Sequence, residues 1–170
     1  VASLKELCER SRTGGGPAVL LEQFDRVPFG KNCLIGPTAE AAVVARHVST
    51  FYPTFGLMVD LSHLPLLEET PEQAIAAAAG ALKHVHIGNC VKRHAGHPAY
   101  GDNHPVFGIA EGEVGVDELA EFLRRLIQAG YLSRETRRIV SFEVKPFGDQ
   151  KPEDVIRNAK ETLDAAWKAV

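Results

Sequence analysis

The segment Lys83-His84-Val85-His86-Ile87-Gly88-Asn89 decides the fold class of this chain. It is short and bounded by glycine and asparagine, which predicts a strand rather than a helix. Its two histidines lie two positions apart, so on a strand both side chains project from the same face. One imidazole could ligate a metal while the other stacks below it or binds a substrate. A pair of hydrogen-bonded core histidines is the plain alternative.

Similar short apolar segments occur on both sides of this strand, separated by longer amphipathic ones. Strands are predicted over residues 18–24, 55–61, 83–89 and 138–145, and helices over 3–12, 39–49, 70–80, 116–129 and 152–170. The helix at 70 has a threonine cap followed by proline, and the helix at 116 ends at Gly130. The order is one helix followed by four strand–helix units, which predicts a parallel sheet with right-handed crossovers.

Four strand–helix units make half of an eightfold barrel, which usually takes about 250 residues. A doubly wound open sheet is the competing architecture. Residues 1–170 are expected to form one domain, a half-barrel with two exposed sheet edges and an open interior. Such a half is expected to be a fragment of a longer protein, a partner to another chain, or a homodimer. The start at Val1, within the first helix, favours the fragment.

Composition narrows the class of protein. The chain has 170 residues, of which 45% are hydrophobic and 24% charged, and its formal net charge is −3. A basic field that would hold nucleic acid is therefore not expected. No apolar run approaches the roughly 20 residues of a membrane helix. Three widely spaced cysteines form no disulfide framework, so a reducing, cytoplasmic location is expected.

Ionisable residues occur at the end of each predicted strand. They are Glu22 and Asp25, Asp60 and His63, His84 and His86, and Glu143 and Lys145. Ligands bind at the carboxyl ends of strands in parallel α/β folds, and burying carboxylates there without a partner is costly. A mixed oxygen and nitrogen set of this kind suits Mn²⁺, Mg²⁺, Co²⁺ or Zn²⁺. Taken singly, Asp60 could cap a helix and Glu22 could form an ion pair. Glu143 is more informative, because it lies inside an apolar strand, where a carboxylate is costly unless it has a partner.

Taken together, the motifs resemble the xylose isomerase-like TIM-barrel superfamily of sugar isomerases, epimerases and endonuclease IV. The resemblance rests on Leu21-Glu22, Val59-Asp60-Leu61-Ser62-His63, His84-Val85-His86-Ile87-Gly88-Asn89 and Phe142-Glu143-Val144-Lys145-Pro146. It covers nearly the whole chain, from the fifth barrel strand to the helix after the eighth. The nearest similarity is to sugar phosphate isomerase/epimerase proteins.

The resemblance implies a divalent-metal-dependent sugar or sugar phosphate isomerase/epimerase. In ketose 3-epimerases of this superfamily, a metal is held by side chains that correspond to Glu22, Asp60, His86 and Glu143. The two glutamates would then remove and return a proton through an enediolate. A hydride shift with the same ligands is also open.

Substrate-binding roles follow from the same resemblance. The residues concerned are His63, His84, Arg93, His104 and Lys145, with Lys92 as an alternative to Arg93. Lys31 and Asn32, after the first strand, are candidates for contact with a substrate phosphate.

Two further hypotheses remain at this stage. The pair Asp102-Asn103-His104 resembles one in endonuclease IV, a zinc-dependent abasic-site nuclease. In that hypothesis His63, Asp102 and His104 would join the four residues above as zinc ligands. A nuclease should carry a clustered basic surface, and Lys92-Arg93-His94 is a thin basis for one. The third hypothesis is a non-catalytic remnant or interaction module that keeps the fold.

Overall fold

A computed structural model describes residues 1–25 and 33–170 of the chain. Its elements follow the predicted alternation of helices and strands. In chain order they are α1 (Ala2–Thr13), β1 (Leu20–Glu22), α2 (Thr38–Ser49), β2 (Gly56–Asp60), α3 (His63–Leu67), α4 (Pro71–Ala78), β3 (Leu82–Ile87), α5 (Val116–Gln128), β4 (Val140–Phe142) and α6 (Pro152–Lys168). The short helix α3 was not predicted from the sequence.

The four strands form one parallel sheet in the order β1-β2-β3-β4. Alternate residues of the central strands face opposite sides. Leu57 and Val59 of β2, and Val85 and Ile87 of β3, are almost completely buried against the helices. The other side of the same strands carries Asp60, His84 and His86. One face of the sheet therefore builds the core, and the other carries the ionisable residues.

The helices that cover the sheet form where the sequence predicts them. Helix α5 buries Leu119, Phe122, Leu123 and Leu126, which share one helical face. Helix α4 begins with a capping box in which the Thr70 hydroxyl accepts from the Gln73 amide and the Gln73 side chain accepts from the Thr70 amide. Within the described residues, no helix is long and apolar enough to span a membrane.

Strand β4 corrects one prediction. A strand was expected over residues 138–145, with Glu143 inside it, but β4 ends at Phe142. Its three residues pair with the last three of β3, and the ladder ends where β3 ends, at Ile87. The Glu143 amide still donates to the Ile87 carbonyl. Glu143 thus lies just past the strand, anchored to its neighbour through the backbone.

Candidate metal centre

Four ionisable side chains from four successive strands converge on one point. Glu22 is the last residue of β1, Asp60 is the last of β2, His86 is next to last in β3, and Glu143 follows β4 directly. One ligand atom from each lies within 4.8 Å of those of the other three. The structure therefore brings together the four residues that the resemblance implied as metal ligands.

The strand register explains why these side chains share a face. Asp60 lies opposite His86, and His86 lies opposite Ser141. Glu22 pairs two residues before Asp60, opposite Met58, and Glu143 is two residues beyond Ser141. All these offsets are even, so the four side chains project from the same face. Their stepwise stagger is the kind that lets strands tilt and close into a barrel.

The donor set fits a divalent cation. Asp60 Oδ1 accepts from the Ser62 amide, but Asp60 Oδ2 and Glu22 Oε1 are buried without a hydrogen-bond partner. Buried carboxylate oxygens without a partner are costly, and a cation would satisfy both. Within the described residues, no Lys or Arg side chain forms an ion pair with Glu22, Asp60 or Glu143. Three carboxylates and one imidazole suit Mn²⁺, Mg²⁺, Co²⁺ or Zn²⁺.

The two glutamates have different electrostatic environments. Burial raises the pKa of the Glu22 carboxyl to about 7, against the opposing effect of the His63 imidazole. His86 Nδ1 lies 2.5 Å from Glu143 Oε2, and this hydrogen bond lowers the pKa of Glu143 to about 2. The same bond raises the pKa of His86. Burial also raises the pKa of Asp60. A bound cation favours the charged form of each carboxylate.

Gln23 is a supporting residue that the sequence analysis missed. Its buried side-chain Nε2 donates to the Asp60 backbone carbonyl at 3.3 Å, and its side-chain Oε1 accepts from the Asp60 backbone N–H at 3.4 Å. These bonds tie the end of β2 to the end of β1 and so fix the separation of Glu22 and Asp60. A polar residue near the end of the predicted strand was the available signal, but the sequence did not show that its side chain reaches the neighbouring strand.

A second polar group lies beside the first, built from His63, Asp102 and His104. His63 begins α3, and its side chain is only 1% exposed. Its Nδ1 lies 2.8 Å from the Gln23 carbonyl oxygen, and its Nε2 lies 3.2 Å from Asp102 Oδ1. His104 Nε2 lies 2.8 Å from the same Asp102 oxygen. The three residues of the nuclease hypothesis thus adjoin the four-residue set.

Asn89 organises the long loop that carries Asp102 and His104. Its buried side-chain oxygen accepts from the Cys90 and Val114 amides, and its Nδ2 donates to the Val106 carbonyl. One side chain therefore joins both ends of the loop to the end of β3.

The remaining predicted residues have varied positions. His84 packs edge-on against His86, with ring centroids 5.0 Å apart, and its Nε2 contacts the Ser141 hydroxyl at 3.1 Å. Arg93 is largely exposed and pairs with Glu113 at 3.0 Å. Their contact with a substrate stays a prediction.

Lys145 is exposed, and its ammonium donates to the Asn103 side chain at 2.9 Å. Its substrate role likewise stays a prediction. Lys31 and Asn32 lie outside the described residues.

Comparison with known proteins identifies the architecture. No protein-family model and no curated protein sequence matches the chain. Solved structures do. D-psicose 3-epimerase from Clostridium cellulolyticum H10, solved with D-tagatose, superposes with a TM-score of 0.65 at 19% identity, over 98% of this chain and 54% of that one. The fold is that of half of a TIM barrel.

Two further half-barrel matches agree. 3-Keto-D-glucoside 4-epimerase from E. coli, in its apo form, gives a TM-score of 0.62 at 19% identity, over 96% of this chain and 51% of that one. D-allulose 3-epimerase from Methylomonas sp., in complex with D-allulose, gives a TM-score of 0.59 at 21% identity, over 99% of this chain and 51% of that one. The chain thus spans about half the length of the solved structures that it resembles. The open-sheet alternative is excluded, because these neighbours are TIM barrels.

Proposed function

We propose that this chain carries the metal centre of a divalent-metal-dependent sugar or sugar phosphate isomerase/epimerase. The observation that carries the proposal is the convergence of Glu22, Asp60, His86 and Glu143 at the carboxyl edge of the sheet. The solved structures that share the fold include epimerases of D-psicose, L-ribulose and a 3-keto-glucoside, which supports the assignment.

The proposed chemistry uses the two glutamates on opposite sides of a bound sugar. Glu22 and Glu143 come from the two outer strands of the sheet, β1 and β4. One carboxylate removes a proton from a carbon next to a carbonyl, and the other returns a proton to the opposite face. A divalent cation held by the four residues would stabilise the negative charge that develops on the sugar oxygens. Asp60 and His86 would anchor that cation, and the hydrogen bond from His86 keeps Glu143 ionised.

We further propose that residues 1–170 act as half of a complete barrel. Within the described residues, β1 and β4 each pair on one side only. The other half would be supplied by more of the same polypeptide, by another chain or by a second copy. It would contribute the rest of the sugar pocket, so the identity of the sugar depends on it.

The basic cluster required by the nuclease hypothesis is neutralised by ion pairs. Each of its three residues lies within 3.3 Å of an acidic oxygen. The pairs are Lys92 with Glu68, Arg93 with Glu113 and His94 with Glu111. A surface of paired charges offers little attraction for the phosphate backbone of nucleic acid, so we favour a sugar or sugar phosphate as the substrate.

Solvent deuterium exchange tests the proposal. The Mn²⁺-loaded protein is incubated in D₂O with ketohexoses such as D-fructose, D-tagatose and D-psicose, and with their phosphate esters. Proton transfer through an enediolate places deuterium at the epimerised carbon, and NMR detects it. A hydride shift would give isomerised sugar without deuterium.

Matched variants link any turnover to the site. Glu143→Gln keeps the size of the side chain but removes its charge, so turnover should fall by at least about 100-fold. Glu161→Gln, an exposed change on α6, should leave turnover unchanged. No turnover of any of these sugars by the metal-loaded protein, assayed with the other half of the barrel present, would refute the proposed function.

A further inference from the structure

His84 lies one layer below the candidate metal centre, on the same face of β3 as His86. Two residues of a strand advance by about 6.6 Å, and His84 precedes His86, so this step leads away from the carboxyl edge of the sheet. Active sites of TIM barrels lie at that edge, whereas the interior below it is filled by layers of side chains. His84 therefore lies behind a proposed metal ligand and not beside a bound sugar.

Two contacts fix the ring of His84. Its Nε2 lies 3.1 Å from the Ser141 hydroxyl on β4. Its ring packs edge-on against His86, with centroids 5.0 Å apart and an angle of 83° between the planes, which is a favourable arrangement of two rings. Ser141 lies opposite His86 in the strand register, so the bond from His84 crosses diagonally to the neighbouring strand. Ser141 thereby anchors His84 against His86.

The orientation of the His86 ring decides whether it can bind a cation. His86 Nδ1 lies 2.5 Å from Glu143 Oε2 and 3.9 Å from Asp60 Oδ2. A half-turn of the imidazole about its Cβ–Cγ bond would place a carbon there instead of Nδ1. The His86 side chain is 22% exposed, so the surrounding protein does not enclose it on every side. Its orientation depends on the few groups that touch the ring.

We infer that His84, anchored by Ser141, is a positioning residue that holds the His86 imidazole with Nδ1 directed at the other three proposed ligands. This role rests on the proposed metal centre, because His86 must bind a cation for its orientation to matter. It gives His84 a task other than the substrate contact expected from the resemblance. Residues that orient a histidine ligand from behind typically change metal affinity by about 10–100-fold when they are replaced.

Mn²⁺ affinity in the absence of sugar tests this role, measured by calorimetric titration of the purified chain. His84→Leu removes the ring and its hydrogen bond, and should weaken Mn²⁺ binding by about tenfold. Ser141→Ala removes only the anchor and should weaken it by about threefold. Because Ser141 acts through His84, the double variant should bind no more weakly than His84→Leu alone.

Two histidine substitutions complete the series. His84→Phe restores a ring against His86 and should recover affinity to within about threefold of the wild type. His47→Leu, on the exposed face of α2, is the matched control and should bind Mn²⁺ like the wild type.

A purely structural role for His84 would give a different result. It would lower the free energy of unfolding without metal, measured by chemical denaturation, but leave the Kd of the folded protein unchanged. The visible spectrum of bound Co²⁺ gives a second readout, because the loss of one nitrogen ligand changes its bands. If His84→Leu does not fold, Ser141→Ala and His84→Phe, which change the side-chain volume little, carry the test.

The outcomes separate this role from the proposed function. If the wild type binds Mn²⁺ and both His84→Leu and Ser141→Ala bind it equally well, the positioning role is overturned while the metal centre stands. Additive losses in the double variant would also overturn it, because Ser141 would then act independently of His84. A wild type that binds no Mn²⁺ would overturn the metal centre, and the role of His84 with it.

Discussion

Gly88 lies behind the metal centre, and replacing it with alanine should disturb the site without changing any ligand. A Cβ on Gly88 would lie 2.6 Å from the Glu143 carbonyl oxygen, 3.1 Å from His104 Nδ1 and 3.4 Å from the Ser62 Cβ. Real Cβ atoms essentially never approach another heavy atom closer than 3.0 Å. The nearest obstacle is backbone, so the end of β4 must move by about half an ångström or more, and such overpacking costs about 1–3 kcal/mol.

The loss of stability should be visible in thermal melting. For a chain of this size, 1 kcal/mol corresponds to about 2–4 °C in Tm, so Gly88→Ala should melt about 2–12 °C lower without metal. A shift of the Glu143 backbone also moves a proposed ligand beyond the tolerance of about 0.5 Å that a functional site allows. We therefore expect Mn²⁺ affinity to fall by at least about tenfold.

The two effects can be measured in one experiment. At a Mn²⁺ concentration about 100 times the wild-type Kd, binding should stabilise the wild type by about 2.7 kcal/mol. A tenfold weaker variant should gain only about 1.4 kcal/mol at the same concentration. Chemical denaturation with and without Mn²⁺ gives both free energies, and calorimetric titration gives each Kd directly.

Gly96→Ala is the matched control, because a Cβ at Gly96 meets nothing within 4 Å and the residue is exposed. It should melt and bind Mn²⁺ like the wild type. If Gly88→Ala also behaves like the wild type, the close approach of the Glu143 backbone does not set the geometry of the site, and the reasoning is refuted.

Two other substitutions test supporting structure. Asn89→Ala leaves the buried backbone amides of Cys90 and Val114 without their acceptor. The free energy of unfolding, measured by urea denaturation, should therefore fall by about 2–5 kcal/mol. A loss below about 1 kcal/mol would contradict the role of Asn89 in the loop. Thr70→Ala removes the hydroxyl that caps the Gln73 amide and should lower stability by about 1 kcal/mol with Mn²⁺ affinity unchanged; a change in that affinity would show that α4 is coupled to the site.

The candidate site could be predicted in part because its residues follow local rules. The spacing of His84 and His86 places both on one face of a strand whatever the rest of the chain does. Asp60 follows apolar residues directly, so its place near a strand end depends only on where that strand stops, whereas the place of Glu143 just past β4 was not predicted. These features need two or three residues of context, which the sequence supplies.

The second polar group could be named only through the nuclease resemblance, and not from local patterns, because distant contacts shape its loop. The Phe107 amide donates to the side chain of Asn158 on α6, 51 residues away, and the Phe107 carbonyl accepts from the same side chain. Asn89 joins residues 17 and 25 positions further along the chain. No local pattern encodes such contacts. The length of β4 was overestimated for a related reason, since a strand ends where its neighbour stops pairing.

The two glutamates of the candidate metal centre lie at opposite edges of the sheet, Glu22 on β1 and Glu143 directly after β4. Any polypeptide segment that pairs with either edge strand would restrict the motion of the strand that presents one of these carboxylates. If this pairing raises the affinity for the cation by some factor, thermodynamic linkage requires that the bound cation raises the affinity for the pairing segment by the same factor. Completion of the barrel and cation binding would then be linked equilibria. A low concentration of the cation would reduce completion of the barrel, and a lack of the other half would weaken cation binding.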